Sequence, residues 1–367
     1  MTLMVRSLRA LLFPVFLPTL VGGCVEPAPE QESPAAMDVI PEVEAAVVAG
    51  ADLVGRIDFE AMRGADILLK LEQVQTNEKL REIRDANRRF EEMTGLTRED
   101  LRFIVFSANT STVNPRATRA AGLESLDAVV GIALTKPLTI EQLTQGIQAM
   151  GTERPAPKVT ETEIAGRPAL IVEPDGPEQN AAYVALSPES TTVFLTVSQA
   201  SLAAALTRAD RGEIEVPSPT VISAQTVISR GAQLRLAFVV PNALRSKIRE
   251  TLDGDQENPQ VAMVAGVLQS FKDLQSLSLG IGLSQDMALN LVCDLGSEES
   301  AQEAATLIGT VLAPMMKAAL ESAERPARIA ESFQVVPEGS VLKLGLRLSA
   351  EDLDSIGSRA ENAAAGR

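Results

Sequence analysis

The sequence predicts an α+β protein of two similar halves, each an antiparallel sheet with helices packed on one face. Three observations lead to this prediction. Short segments alternate apolar residues with polar or small ones at a period of two, which is typical of antiparallel strands with one buried face. Helix-capping residues stand between the strand segments. The order of predicted strands and helices recurs along the chain, which indicates an internal duplication.

The two predicted halves span residues 46–215 and 216–357 and start in the same way. The first begins with a strand near 53–58 and the second with a strand over 234–240. In each half a helical region, an Asp-Leu step, a β-hairpin and a helix follow. Few residues are identical between the halves, so the duplication is inferred from the order of elements.

The strand pattern is clearest in the second half. Residues 234–240, 277–283 and 342–348 each alternate leucine or another apolar residue with glycine or a polar residue. Because neighbouring side chains of a strand point to opposite faces, each segment has one apolar face. Residues 284–286 and 337–339 have the composition of tight turns, so we expect a hairpin at each.

The helix starts are indicated by capping residues. Thr139 and Gln142 have the spacing of a capping box, which predicts a helix from residue 140. A longer helix begins after Ser297 or Ser300, and Pro314 within it predicts a kink.

Glycines interrupt the polar side of several predicted strands, at Gly131, Gly280, Gly282 and Gly345. Such glycines would let a ligand or partner approach the backbone closely. A strongly twisted or bulged solvent face explains them equally well.

The N-terminus has the pattern of an export signal. Arg6 and Arg9 precede an apolar run over 10–20, which is too short to span a membrane. Val21, Gly22, Gly23 and Cys24 follow directly, and this sequence resembles the lipobox of bacterial lipoproteins. The resemblance implies a signal peptide over 1–23, cleavage before Cys24, diacylglycerol on the Cys24 sulfur and acylation of the new N-terminus.

Residues 24–45 are predicted to form the lipidated cysteine and a tether rich in proline and glutamate, which would be extended and solvated. Valine rather than aspartate follows Cys24, and the resemblance to lipoprotein sorting in diderm bacteria favours the outer membrane, facing the periplasm. Removal of residues 1–23 takes away two arginines and changes the net charge from −16 to −18. Membrane attachment is therefore expected through the lipid, since an anionic surface repels such a chain. Residues 358–367 are predicted to be a flexible tail.

The composition excludes several classes of function. The 367 residues include no histidine, which excludes a Ser-His-Asp triad, a Cys-His pair and imidazole metal ligands. There is no tryptophan and a single tyrosine, Tyr183, so ring-stacking sites for sugars or single-stranded nucleic acid are disfavoured. The charge of −16 also argues against a nucleic-acid partner. We predict no catalytic residues, metal or cofactor, although carboxylates are plentiful enough to leave a carboxylate-dependent hydrolase as a less favoured alternative.

Two segments of the second half, near 261–271 and 307–316, are apolar almost all round. They are interpreted either as doubly buried core helices or as the walls of a groove for an apolar ligand. The groove would be lined by Met263, Val267, Leu312 and Met315. Cys293 falls on the apolar side of a predicted strand and is expected to be a buried, inert thiol.

The predicted order of elements resembles that of uncharacterised exported α+β proteins of planctomycete-like bacteria. These often begin their mature part with a strand that contains acidic residues and valine, followed by a helix of the type F-x-A-[LM]-R, as in Asp58 to Arg63 here. This resemblance implies no activity. The sequence thus favours a lipid-anchored envelope protein that binds or scaffolds an envelope protein partner without catalysis. The alternative is a carrier or sensor of an apolar ligand held between helices and sheet.

Overall fold

The computed structural model describes residues 41–63, 65, 88–89, 91–110, 127–149, 157–173, 180–228, 231–242, 245–246, 271–322 and 327–352. The chain folds into two compact units. One consists of residues 1–64 and 71–218, and the other of residues 65–70 and 219–367. No helix within the described ranges is long and apolar enough to cross a membrane.

The first unit is built around an antiparallel sheet of strand order β1-β2-β3-β7-β6-β5-β4. Its described elements are α1 (Pro41–Glu44), β1 (Leu53–Asp58), α2 (Phe59–Met62), a 3-10 turn (Arg98–Asp100), β2 (Leu101–Asn109), β3 (Asp127–Leu134), α3 (Ile140–Ala149), β4 (Lys158–Ile164), β5 (Arg167–Glu173), β6 (Ala182–Leu186), β7 (Thr192–Thr196) and α4 (Gln199–Arg211).

Helices cover both faces of this sheet. On one face, Leu143 and Ile147 of α3 pack in a core cluster with strand residues such as Val130 and Leu195. On the other face, α4 and the segment from 41 to 48 lie over the sheet. The prediction of helices on a single face is therefore wrong. The reason is visible in β3, where residues 128–134 are buried without alternation, as expected for a strand that is covered on both sides.

The second unit contains an antiparallel sheet of strand order β11-β12-β10-β9-β8. Its described elements are α5 (Pro219–Thr226), β8 (Leu234–Val239), β9 (Ser276–Leu283), β10 (Asp286–Asp294), α6 (Glu298–Leu307), a π-helical turn (Ile308–Leu312), α7 (Ala313–Ser322), α8 (Ala327–Glu331), β11 (Gln334–Glu338) and β12 (Val341–Ser349).

This sheet also has helices on both faces. α6 packs over one end of the face that carries Cys293 and Leu342. α5 lies against the opposite face at β8 and β9, where Ser278 Oγ donates a hydrogen bond of 2.8 Å to the Ala224 carbonyl. Gly280 lies beneath Ile228 on that face, and a Cβ added there would come within 2.5 Å of Ile228 Cγ2. Among the described residues, Gly280 is therefore approached closely by Ile228 of the same chain, and not by a ligand or partner.

The capping residues act as predicted. Thr139 and Gln142 form the reciprocal capping box, with bonds of 3.0 and 3.2 Å. Ser297, rather than Ser300, is the N-cap of α6, since its side chain accepts from the Ser300 N–H at 3.1 Å. At Pro314 the helix widens into the π turn instead of ending. Because proline has no N–H and its ring displaces the carbonyl four residues back, the extra residue in the preceding turn relieves the clash.

Candidate functional site

The apolar face of the second sheet is the main candidate site. Six of its residues are half-buried and lie outside the core cluster under α6, and we call them the leucine face: Leu234, Leu236, Leu279, Ile281, Leu289 and Leu346. All belong to the strand positions that alternate with polar or small residues.

The strand register brings these side chains together. Leu234 pairs with Ile281, Ile281 with Leu289, and Leu289 with Leu346, so that one row crosses four adjacent strands. Since neighbouring strands are about 4.8 Å apart, this row is about 14 Å wide. A second row begins with the pair Leu236 and Leu279. The leucine face is therefore a continuous apolar surface.

The corresponding surface in the first unit is closed at its centre. Ile104, Val130, Ile132 and Leu195 occupy the α3-covered face of the first sheet, and each is at most 9% exposed. The second unit thus has a row of half-buried apolar side chains, whereas in the first unit a few half-buried residues such as Ile57 and Phe106 surround a closed core.

Beyond the leucine face, the same side of the second sheet is sealed by α6. Cys293 and Leu342 pack there against Ala301, Ala304 and Ile308. Burial raises the pKa of the Cys293 thiol to about 12, so the thiol stays protonated and unreactive near neutral pH. The predicted role of Cys293 as a buried thiol agrees with this position.

The outer side of α6 borders an open cleft of about 770 Å³. Its described lining consists of α6 and the π turn, mostly polar or acidic residues: Glu298, Glu299, Gln302, Glu303, Thr306, Leu307 and Thr310.

The predicted groove is only partly within the described residues. Met263 and Val267 lie outside them, as does Cys24. Leu312 belongs to the π turn, and Met315 follows in α7 with 50% of its surface exposed. The alternating leucines are the sequence signal for the leucine face, but the same alternation predicts a closed core on the apolar side of the sheet.

No group of three or more cysteine, aspartate or glutamate residues in the described ranges is placed to hold a metal. Burial by itself would raise the pKa of Asp100, but the Thr97 N–H and the side chains of Lys136, Thr135 and Thr97 outweigh it and lower the pKa to about 2. Asp100 thereby ties the start of β2 to the end of β3, which is a structural role.

A second notable feature is the segment of residues 41–48, which we call the strap. Val43, Ala45 and Ala46 are fully buried in the first unit, and Glu44 is 4% exposed. The predicted tether over 24–45 therefore includes residues that belong to the folded unit. The proline and glutamate content of the tether predicts solvation, but the side chains of Glu42 and Glu44 bind partners on and beside the strands of the first sheet.

The strap is held by polar side chains from distant parts of the chain. Glu44 accepts two hydrogen bonds from Arg56, of 2.9 and 2.8 Å. Arg208 donates hydrogen bonds from its Nε–H and Nη2–H groups to the Ala45 carbonyl, at 3.0 and 2.8 Å. Ser107 accepts from the Val48 N–H at 2.9 Å and donates to the Ala46 carbonyl at 2.7 Å.

The first glutamate of the strap, Glu42, is bound by hydroxyl groups. Ser187, Thr191 and Thr192 donate to its Oε2 at 3.0, 3.2 and 3.3 Å. Beneath the strap, Gly131 leaves the space that Ala46 occupies, since a Cβ there would lie 2.9 Å from the Ala46 Cβ.

Comparison with known proteins assigns no family. No family model matches the sequence, and no curated protein matches it. Among solved structures, the chain is similar to one described as crystal form I of TP0453, with 12% identity, a TM-score of 0.39, and coverage of 88% of this chain and 98% of that one. Similarity at this level does not establish a shared fold.

Proposed function

We propose that this protein is a lipid-anchored cell-envelope protein without catalytic activity, whose second unit binds an apolar molecule on the leucine face. The leucine face is the observation that carries this proposal, because its six half-buried apolar side chains on four adjacent strands form one continuous surface outside the core cluster under α6. The lipobox-like sequence ending at Cys24 supports the anchor. Its sorting pattern favours the outer membrane, facing the periplasm of a diderm bacterium.

The tether and strap suit an anchored protein. Residues 25–40 lie outside the described residues, but a proline-rich segment of this length would span about 50 Å if it were extended at 3.1 Å per residue. That distance would hold the folded units clear of the lipid headgroups. The strap then attaches the tether to the first unit through buried contacts.

The size of the leucine face sets the expected affinity. Full coverage of its six side chains would bury on the order of 200 Å² of apolar protein surface and as much of the ligand, worth about 10 kcal/mol at 25 cal/mol/Å². Association costs at least about 4 kcal/mol. The remainder corresponds to a dissociation constant of tens of micromolar.

The direct test is mass spectrometry of organic extracts from the soluble form, residues 38–367, purified under native conditions. We expect a co-purified lipid or other apolar molecule. Leu279→Asn should remove it, because a buried amide without a partner opposes binding. The matched control is Val336→Asn, since Val336 lies on the opposite face of the same sheet and is 49% exposed.

A ligand that survives Leu279→Asn but is lost from Val336→Asn would place binding elsewhere and refute the proposal. Because a ligand held with a dissociation constant of tens of micromolar can be lost during purification, the protein is also titrated with a fluorescent fatty acid. A folded wild-type protein that yields no apolar molecule and does not bind this probe would count against a carrier. It would favour the scaffold function, in which the leucine face receives an apolar surface of an envelope protein.

We further propose that the two units arose by duplication. Two features support this duplication. The first is that the strand order β1-β2-β3-β7-β6 in one unit has the same connectivity as β8-β9-β10-β12-β11 in the other. The second is that in each unit a buried serine of the middle meander strand, Ser107 or Ser278, hydrogen-bonds a carbonyl of the segment that precedes the first strand. The first unit has the additional hairpin β4-β5.

A further inference from the structure

The strap is bound to the first unit as a peptide is bound to a receptor. Its partners come from four separate places: Arg56 on β1, Ser107 on β2, the residues around β7, and Arg208 on α4. Arg208 is 163 residues away from the carbonyl that it binds. The contacts therefore belong to the tertiary structure of the unit and not to the local turn.

The site that holds the strap recognises both backbone and side chains. Arg208 is 8% exposed and Ser107 1% exposed, and both bind strap backbone groups. Arg56 and the three hydroxyls around Thr192 bind the two carboxylates instead. Paired, charge-assisted bonds of this kind carry directional specificity.

Space adds a third requirement. Ala45 and Ala46 are fully buried, and the Ala46 Cβ lies where a Cβ at position 131 would approach it to 2.9 Å. A larger residue at 46 would have to displace buried neighbours. The site thus selects a Glu-x-Glu sequence followed by two small residues.

We propose that this face of the first sheet is a peptide-recognition site for a Glu-x-Glu-small-small segment, occupied by the chain's own strap and able to take the strap of a second copy. Residues 49 and 50, directly after the strap, are exposed. Gly50 there has a positive φ of 62°, so a turn separates the strap from β1. An exchange of straps at this turn would join two copies without any new contact surface.

The test uses the full chain with a specific protease site inserted between Ala49 and Gly50. After cleavage in the folded state, a labelled peptide of residues 38–49 represents the strap of a second copy. We expect it to replace the cleaved segment at one peptide per chain, measured by fluorescence anisotropy. Glu44→Gln in the peptide should weaken binding at least about 10-fold, because the half-buried Arg56 loses its charged partner.

The control peptide carries Asp38→Asn, which removes a carboxylate outside the strap and should change affinity less than about twofold. In the protein, Arg208→Lys should also weaken binding, since lysine cannot donate two parallel bonds to the Ala45 carbonyl. Circular dichroism monitors the fold of the cleaved chain.

Three results would overturn the proposal. The cleaved chain could unfold when the segment leaves, which would make the strap part of the core. The labelled peptide could fail to bind a cleaved chain that stays folded. Glu44→Gln and Asp38→Asn could also weaken binding equally, which would show attraction by net charge without recognition.

Discussion

Substituting Asp100 by asparagine should lower the stability of the first unit in a way that depends on pH. Asp100 is 4% exposed and accepts hydrogen bonds from the Thr97 N–H at 2.8 Å and from Thr135 and Lys136 at 2.8 and 3.1 Å. Its pKa falls from an ordinary value of 3.8 to about 2. Asparagine keeps the shape of the side chain but loses the charge and one acceptor.

The pKa difference sets the magnitude. A change from 3.8 to about 2 corresponds to about 2.4 kcal/mol of unfolding free energy at pH 7. The side chain of Lys136 is 60% exposed, so solvent screens its share. We therefore expect Asp100→Asn to cost about 1–2 kcal/mol at pH 7.

The sign of the pH dependence follows from the lowered pKa. A carboxylate whose folded pKa is depressed stabilises fully above its unfolded pKa, and this stabilisation is lost as the pH falls through the folded value. The difference between wild type and Asp100→Asn should therefore shrink by about half between pH 7 and pH 3. At pH near 2 most of it should have disappeared.

Tyrosine fluorescence in urea titrations provides the assay. Tyr183 is the single tyrosine, there is no tryptophan, and it lies in β6 of the first unit. The signal therefore reports the unit that contains Asp100. A variant as stable as wild type at pH 7, or a difference that stays constant down to pH 3, would refute the role assigned to the charged carboxylate.

The remaining predictions concern the second unit. Gly280→Ala should lower its unfolding free energy by about 1–3 kcal/mol, because the new Cβ would lie 2.5 Å from Ile228 Cγ2. Gly282→Ala on the same strand face, where the nearest atom is 3.7 Å away, is the control, and equal losses in urea titrations followed by circular dichroism would contradict the packing argument. Cys293 should resist maleimide at pH 8 until the unit unfolds, and mass spectrometry showing rapid native labelling would rule out the buried position. Ser297→Ala should cost about 1 kcal/mol through loss of the α6 N-cap, in the same titrations, and an unchanged midpoint would show that the cap is dispensable.

Local signals in the sequence predicted much of the second sheet and several helix starts. The strands over 234–240, 277–283 and 342–348 match β8, β9 and β12, because each has one face much more apolar than the other. The capping box at Thr139 and Gln142 also formed, since it depends on residues only three apart.

Features that depend on distant residues were not predicted. The helices on both faces of the first sheet were not predicted, because the covered strand β3 is apolar without period-two alternation. The predicted tether over 24–45 includes the first five residues of the strap because the prolines and glutamates before them indicate solvation, whereas the partners of Glu42 lie as far away as Thr192. The leucine face has the same alternating pattern as a closed sheet, and the degree to which other parts cover it is not encoded in that pattern.

The position of the strap determines how a pulling force on the N-terminus enters the protein. The strap crosses the middle of the first sheet, over Gly131 of β3, and does not extend an edge strand. A force applied ahead of residue 41 is therefore shared among the ion pair with Arg56, the carbonyl bonds of Arg208 and Ser107, and the hydroxyls around Glu42. These contacts come from three strands and a helix, whereas an edge strand is held by a single neighbouring strand. The first unit is thus built to resist mechanical detachment from whatever holds its N-terminus.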